Sequence, residues 1–150
     1  MIDSVPSTDV ADPERFERTG VAADAEGAGR TREAFSRWLA DFFILDPTRS
    51  SDLVLATNEA LANAAEFAYV SADRPGTMDV LARYRAHDGT LTVTVADQGA
   101  WRVPEPNPAT RLRGRGIPLM QALTDRTTIE RTPVGTRVCL EWSDVPRRAQ

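Results

Sequence analysis

Residues 53–64 have the sequence LVLATNEALANA. This stretch is rich in alanine and contains no proline or glycine, so it predicts a helix. Either Ser50 or Ser51 could cap the start of that helix, because both have a hydroxyl that can accept a bond from a backbone amide in the first turn. The helical pattern continues to about Val70. The fold and the candidate site both depend on this helix.

Glu59 and Asn63 are four residues apart and therefore share one face of the predicted helix. A carboxylate in this position can polarise a hydroxyl or a water. A neutral amide oxygen can ligate Mg²⁺, a hard cation that prefers oxygen ligands. Taken alone, the pair is explained as well by a solvated helix face.

The sequence on either side of this helix predicts a sheet and two more helices. An apolar stripe at helical spacing predicts a helix over residues 24–45 that Pro47 ends, and a shorter helix is predicted at 117–124. Alternating apolar residues predict strands at about 15–21, 78–86, 91–95, 126–131 and 136–142. Short turns join neighbouring strands, so we expect an α/β two-layer sandwich: a mainly antiparallel mixed sheet with helices on one face.

Length and composition favour one domain over residues 14–142, between a flexible N-terminal tail (1–13) and a C-terminal tail (143–150). All 18 basic residues are arginine, which excludes a lysine P-loop or a Schiff-base lysine. With only His87 and Cys139, the chain has no multi-histidine or cysteine zinc site and no internal disulfide. The net charge of −4 disfavours nucleic-acid binding. We expect a cytoplasmic protein, because neither a signal peptide nor a membrane span is evident.

Two short motifs contain residues that suit a nucleotide. Asp97 follows a buried strand, where its carboxylate can accept a hydrogen bond from an exocyclic amine, and Gly99 lets a flat ring approach the backbone. Gly114, Arg115 and Gly116 precede a helix, whose N-terminus favours anions such as phosphate. Each motif alone is also typical of an ordinary turn or loop.

The order and spacing of these motifs resemble the GHKL superfamily of ATPases and kinases, which has the Bergerat (histidine kinase-like ATPase) fold. Glu59 and Asn63 resemble its N box, and Asp97 and Gly99 its G1 box. Gly114-Arg115-Gly116 resembles the G2 box, and Gly135-Thr136 the last glycine–threonine element. The resemblance covers about residues 15–142 and is strongest to the small bacterial anti-sigma-factor serine kinases.

The resemblance implies a set of roles for these residues. Glu59 would be the general base or the polarising carboxylate for the attacking hydroxyl, and Asn63 would ligate the Mg²⁺ that bridges the ATP phosphates. Asp97 would bind the adenine amino group with help from Thr136. Gly99 would leave room for the adenine ring to approach the backbone. Gly114 and Gly116 would let a lid approach the phosphates, and Arg115 is a candidate ligand for the γ-phosphate. ATP and Mg²⁺ are thus the expected cofactors.

Two functions follow as hypotheses. The first is an ATP-dependent serine kinase that sequesters a sigma factor and phosphorylates an anti-anti-sigma protein of the STAS type, as a homodimer that binds neither nucleic acid nor membrane. The second is a non-catalytic binding module on the same fold. Phe67, Pro118 and a short, proline-rich lid at residues 100–113 depart from the family pattern and keep the second hypothesis open.

Overall fold

The computed structural model describes residues 12–67, 76–98 and 116–149, which form one sheet with helices on one face. All four strand pairs in these residues are antiparallel, and the strand order is β1-β2-β3-β5-β4. The predicted two-layer sandwich is confirmed. In chain order the elements are β1 (Arg15–Ala22), α1 (Ala25–Phe42), α2 (Pro47–Phe67), β2 (Thr77–Arg85), β3 (Thr90–Asp97), α3 (Gly116–Leu123), β4 (Arg126–Thr132) and β5 (Gly135–Trp142).

The core lies between the sheet and its helices. Successive side chains of a strand point to opposite faces, so only alternate residues of each central strand reach the helices. On that face the core residues of the central strands are buried: Met78, Val80 and Ala82 of β2, Leu91, Val93 and Val95 of β3, and Val138, Leu140 and Trp142 of β5. The other face of the sheet carries no helix of the described residues.

The connection between α1 and α2 differs from the prediction. Pro47 does not end the first helix; it is the first residue of α2, where a missing backbone N–H costs nothing. The carboxylate of Asp46 accepts a hydrogen bond from the amide of Arg49 at 2.7 Å and so caps the helix. The prediction that Ser50 or Ser51 caps α2 was therefore wrong by about one turn.

The hairpin between β2 and β3 agrees with the prediction. Gly89 has φ of 70°, a left-handed conformation that an Asp-Gly turn tolerates well. The carboxylate of Asp88 pairs with the guanidinium of Arg85 at 2.8 Å. This ion pair lowers the pKa of Asp88 to about 2 and raises that of Arg85.

Residues 143–149, expected to form a polar tail, pack against the domain. Val145 is buried, its amide donates to the carbonyl of Gly89 at 2.8 Å, and its carbonyl accepts from the Tyr84 hydroxyl at 2.7 Å. The amide of Arg148 donates to the carbonyl of Phe42, the last residue of α1. The segment therefore covers one end of the aromatic cluster formed by Phe16, Phe35, Trp38, Phe43 and Tyr84.

Helix α3 is fixed to the sheet at its C-terminal end. The indole N–H of Trp142 donates to the carbonyl of Leu123 at 2.8 Å. Leu123 and Trp142 also line a pocket with Pro47 and Arg49, in the first turn of α2. In the described parts of the chain, no helix is both long and apolar enough to cross a membrane.

Candidate functional site

Asp97 and Thr136 lie side by side at one end of the sheet. They are register partners in β3 and β5, and both are only 7% exposed. The carboxylate oxygen Oδ1 of Asp97 accepts a hydrogen bond from the amide of Thr136 at 3.3 Å. A buried carboxylate needs hydrogen-bond donors around it. A ligand with an exocyclic amine would supply one.

Gly135 brings the backbones of these two strands into close contact. A Cβ atom added at this position would lie 2.1 Å from the carbonyl oxygen of Asp97. Only glycine fits there without a shift of one strand. The glycine before Thr136 therefore lets the start of β5 lie against Asp97, the last residue of β3.

The hydroxyl of Thr136 is buried and has no hydrogen-bond partner among the described residues. A buried polar atom that stays unpaired costs about 1–3 kcal/mol, so such an atom needs an explanation. Its neighbour in the register is Asp97, the predicted adenine ligand. A purine held by Asp97 would give the hydroxyl a partner.

Thr57 is a buried polar residue of α2 that the sequence analysis missed. It is fully buried in α2, two residues before Glu59, and its hydroxyl has no partner within the described residues. The signal that could have identified it is a threonine on a helix stripe otherwise made of alanine and leucine. The hydroxyl is a second polar group that a bound ligand or water could satisfy.

Glu59 and Asn63 lie on α2, as predicted, and both are half-buried. Helix α2 packs against α3 and against β3 and β5. The last turn of α3 and the first turn of α2 line the same pocket.

Three of the predicted site residues, Gly99, Gly114 and Arg115, lie outside the described residues, as does the predicted lid at 100–113. Gly116 is described as the first residue of α3. Of the predicted site, the structure therefore describes Glu59 and Asn63 on α2, Asp97 and Thr136 on the sheet, and Gly116 at the start of α3.

The described residues contain no metal site built from protein side chains alone. Within residues 12–67, 76–98 and 116–149, no group of three or more His, Cys, Asp or Glu side chains could hold a metal ion. A Mg²⁺ ion here would need most of its oxygens from phosphate and water, which is how this ion is usually held. The amide oxygen of Asn63 suits the single protein ligand that such an ion requires.

The comparison with protein families decides the identity of the fold. Residues 21–142 match the family described as "Histidine kinase-like ATPase domain". The chain belongs to this family. The match begins within β1, ends with the last residue of β5, and contains every described element that positions the site.

Two solved structures resemble this histidine kinase-like ATPase domain. The crystal structure of the RsbU and RsbW domains of Rv1364c from Mycobacterium tuberculosis matches with a TM-score of 0.67 and 24% identity, over 91% of this chain. This chain covers 34% of that protein. A chain in the crystal structure of the SiaB–SiaC complex from Pseudomonas aeruginosa matches with a TM-score of 0.56 and 12% identity, over 95% of this chain and 99% of the other. At these identities the likeness supports the fold.

Proposed function

We propose that this chain is an ATP-dependent serine protein kinase that acts as an anti-sigma factor. In this proposal it sequesters a sigma factor and phosphorylates a STAS-type anti-anti-sigma protein, as a cytoplasmic homodimer with no direct contact to nucleic acid or membrane. The observation that carries the proposal is the pair formed by Asp97 and Thr136 at the end of the sheet. Membership of an ATPase domain family supports the same ligand.

The residues on the sheet would select the base of the nucleotide. The buried carboxylate of Asp97 accepts a hydrogen bond from the exocyclic amine of adenine, and the unpaired hydroxyl of Thr136 bonds a ring nitrogen or a bound water. Guanine has a carbonyl in place of that amine and would leave Asp97 facing an acceptor. Two acceptors that face each other without a donor between them cost enough binding energy to disfavour guanine.

The residues on α2 would serve the transfer step. A serine oxygen of the partner attacks the γ-phosphorus, the bond to the bridging oxygen breaks, and ADP leaves. Glu59 accepts the proton that the serine loses. Asn63 would hold a Mg²⁺ ion, and such an ion would neutralise charge on the phosphates when bound. The N-terminus of α3 would supply backbone amides, which favour phosphate.

A phosphate placed on the partner carries a charge of about −1.5 to −2 at pH 7. If the partner's serine lies within the contact with this chain, that charge would weaken the complex through desolvation and repulsion. The RsbW domain in one similar structure and the two-protein complex in the other support a role in binding other proteins.

The kinase reaction is tested with purified protein, a STAS-domain protein from the same genome and γ-labelled ATP. We expect labelled serine on the STAS protein. Glu59→Gln should lower the transfer rate by about 10²–10⁴-fold, because general base catalysis is worth about that much. ATP affinity should change little, since Glu59 contacts the attacking hydroxyl and not the base.

Glu66→Gln is the matched control, because Glu66 is an exposed carboxylate on the same helix. Equal loss in both variants would show that charge on α2, and not a base at position 59, determines the rate. Saturable ATP binding without transfer to any STAS protein would instead favour the non-catalytic binding module.

A further inference from the structure

A pocket of about 590 Å³ lies between the first turn of α2 and the last turn of α3, and we call it the distal pocket. Residues 46–49, 52, 122–125 and 142 line it. Trp142 is the last residue of β5, and Thr136 lies six residues earlier on the same strand. The pocket is therefore about 20 Å from the end of the sheet that holds Asp97 and Thr136. It is separate from the nucleotide site of the proposed function.

The lining of the distal pocket is polar and acidic. Four of its ten lining residues are charged, and three of these four are carboxylates. They are Asp46, Asp52 and Asp125, together with Arg49. Pockets that bind small molecules are lined mostly by apolar side chains. The distal pocket therefore suits a cationic group better than a small apolar ligand.

The single arginine of the pocket does not pair with these carboxylates. The guanidinium of Arg49 donates to the backbone carbonyls of Ser143 and Asp144, and it forms no ion pair within the described ranges. The next arginine along the chain, Arg126, lies on the opposite face of the sheet, because Ile129 three residues further packs against the core. The negative charge of the pocket is therefore uncompensated by these two arginines.

The three carboxylates keep oxygens that can accept further hydrogen bonds. Asp46 accepts from the amide of Arg49 and Asp125 accepts from the amide of Ser143, both at 2.7 Å. Asp52 is half-buried and has neither a hydrogen bond nor an ion pair within the described residues. A carboxylate in this position loses part of its hydration without gaining a partner. A cation that enters the pocket would supply one.

The arrangement of the carboxylates favours a basic side chain over a metal ion. Within residues 12–67, 76–98 and 116–149, no three acidic, histidine or cysteine groups are placed to hold a metal ion together. Arginine spreads its charge over a planar group with five N–H donors, and lysine has three donors on a flexible chain. Side chains of this kind can bond separate carboxylates, so a basic peptide segment fits the pocket.

We propose that the distal pocket binds a basic segment of the sigma factor, with an arginine or lysine beside Asp52. The inference rests on the sequestering role in the proposed function and adds the place where the sigma factor docks. A sigma factor contacts DNA, and proteins that bind nucleic acid carry clustered arginine and lysine. An acidic pocket is complementary to such a cluster. Binding here would cover positive charges that otherwise face the phosphates of DNA.

Docking is measured by isothermal titration of the whole chain with purified sigma factors encoded in the same genome. We expect one of them to bind, with an affinity that falls as the salt concentration rises. Asp52→Asn should raise Kd by about fivefold, the upper end for a partly exposed ion pair, without removing a contact inside the chain. Glu66→Gln removes an exposed carboxylate from the same helix and should leave Kd unchanged. Asp52→Asn should bind ATP as the unaltered chain does.

Two substitutions at Ala122 separate the effect of charge from that of bulk. This residue is exposed in the last turn of α3 and lines the pocket. Ala122→Arg should weaken binding much more than Ala122→Glu, because the two side chains are similarly long but only arginine repels a basic segment. The indole N–H resonance of Trp142 should shift when the sigma factor is added. Circular dichroism of each variant checks that the chain still folds.

The outcomes distinguish this inference from the proposed function. Equal affinity of Asp52→Asn and Glu66→Gln, or an indole resonance of Trp142 that does not move, would overturn the docking site and leave the proposed function standing. Weaker binding by Asp52→Asn alone, in a chain that transfers no phosphate, would support the docking site and contradict the proposed kinase. A chain that binds no sigma factor would overturn both the docking site and the sequestering role, and labelled STAS protein would then still support the kinase.

Discussion

The carboxylate of Asp97 accepts a hydrogen bond from the backbone amide of Thr136 across neighbouring strands, at 3.3 Å. The two residues are 39 positions apart in sequence, and the antiparallel register of β3 and β5 brings them together. In the proposed function a purine amine would be a further donor to this carboxylate.

Asp97→Asn is expected to lower ATP affinity at least tenfold, a loss of about 1.4 kcal/mol or more. The amide keeps the shape of the side chain but removes its charge and one acceptor. Isothermal titration with Mg-ATP measures the change. Asp41→Asn, at an exposed position on α1, is the control and should bind as before. Equal binding by both variants would show that Asp97 does not contact the nucleotide.

Gly135→Ala is expected to destabilise the fold by about 1–3 kcal/mol, the usual cost of an overpacked contact. The new methyl group would collide with the carbonyl oxygen of Asp97. This oxygen belongs to the backbone, so it can move away only if β3 shifts relative to β5. Urea denaturation measures the loss. In Gly29→Ala the methyl group enters open space on α1, and there we expect a gain of about 0.5–1 kcal/mol. A similar effect of both changes would refute the close approach.

Arg85→Gln is expected to raise the pKa of Asp88 from about 2 towards 3.8, because the guanidinium provides the main hydrogen bond to that carboxylate. The folded pKa is below the unfolded one. The ion pair therefore adds stability above about pH 4, and this contribution is lost as pH falls towards 2. NMR titration of the Asp88 carboxyl carbon measures the shift. No change in its midpoint would show that the pair does not persist in solution.

Tyr84→Phe is expected to cost about 1 kcal/mol, because the Val145 carbonyl loses its hydrogen-bond donor while the ring packing stays the same. The effect should be local. Faster hydrogen exchange is expected at the amide of Arg148, which donates to Phe42 in the same segment, while amides of β3 should be unaffected. Unchanged exchange at Arg148 would show that Tyr84 does not hold the segment in place.

Local patterns were sufficient to predict most of the elements. The apolar stripe of α1, the alternation of β2 and the Asp-Gly turn at 88–89 each depend on neighbouring residues, and all three are confirmed. The start of α2 was misplaced because Pro47 was interpreted as the end of one helix. Its fixed φ and missing donor suit the first turn of the next helix equally well.

The site was harder to predict than the elements that hold it. Glu59 and Asn63 share a helix face because they are four residues apart. Any helix that contains both residues would place them in this way. The contact between Asp97 and Thr136 depends on β5 entering the sheet between β3 and β4, which short-range patterns do not specify. The same is true of Val145, whose burial depends on a hairpin more than fifty residues earlier in the chain.

The place of β5 inside the sheet has a consequence for synthesis on the ribosome. Strands β1, β2 and β3 are translated long before residues 135–142, so β3 emerges with one edge unpaired. Such an edge can template pairing with another nascent chain. Closing the sheet also requires a contact between distant residues, which slows folding. We therefore expect the incomplete chain to need protection from aggregation until its fifth strand has left the exit tunnel.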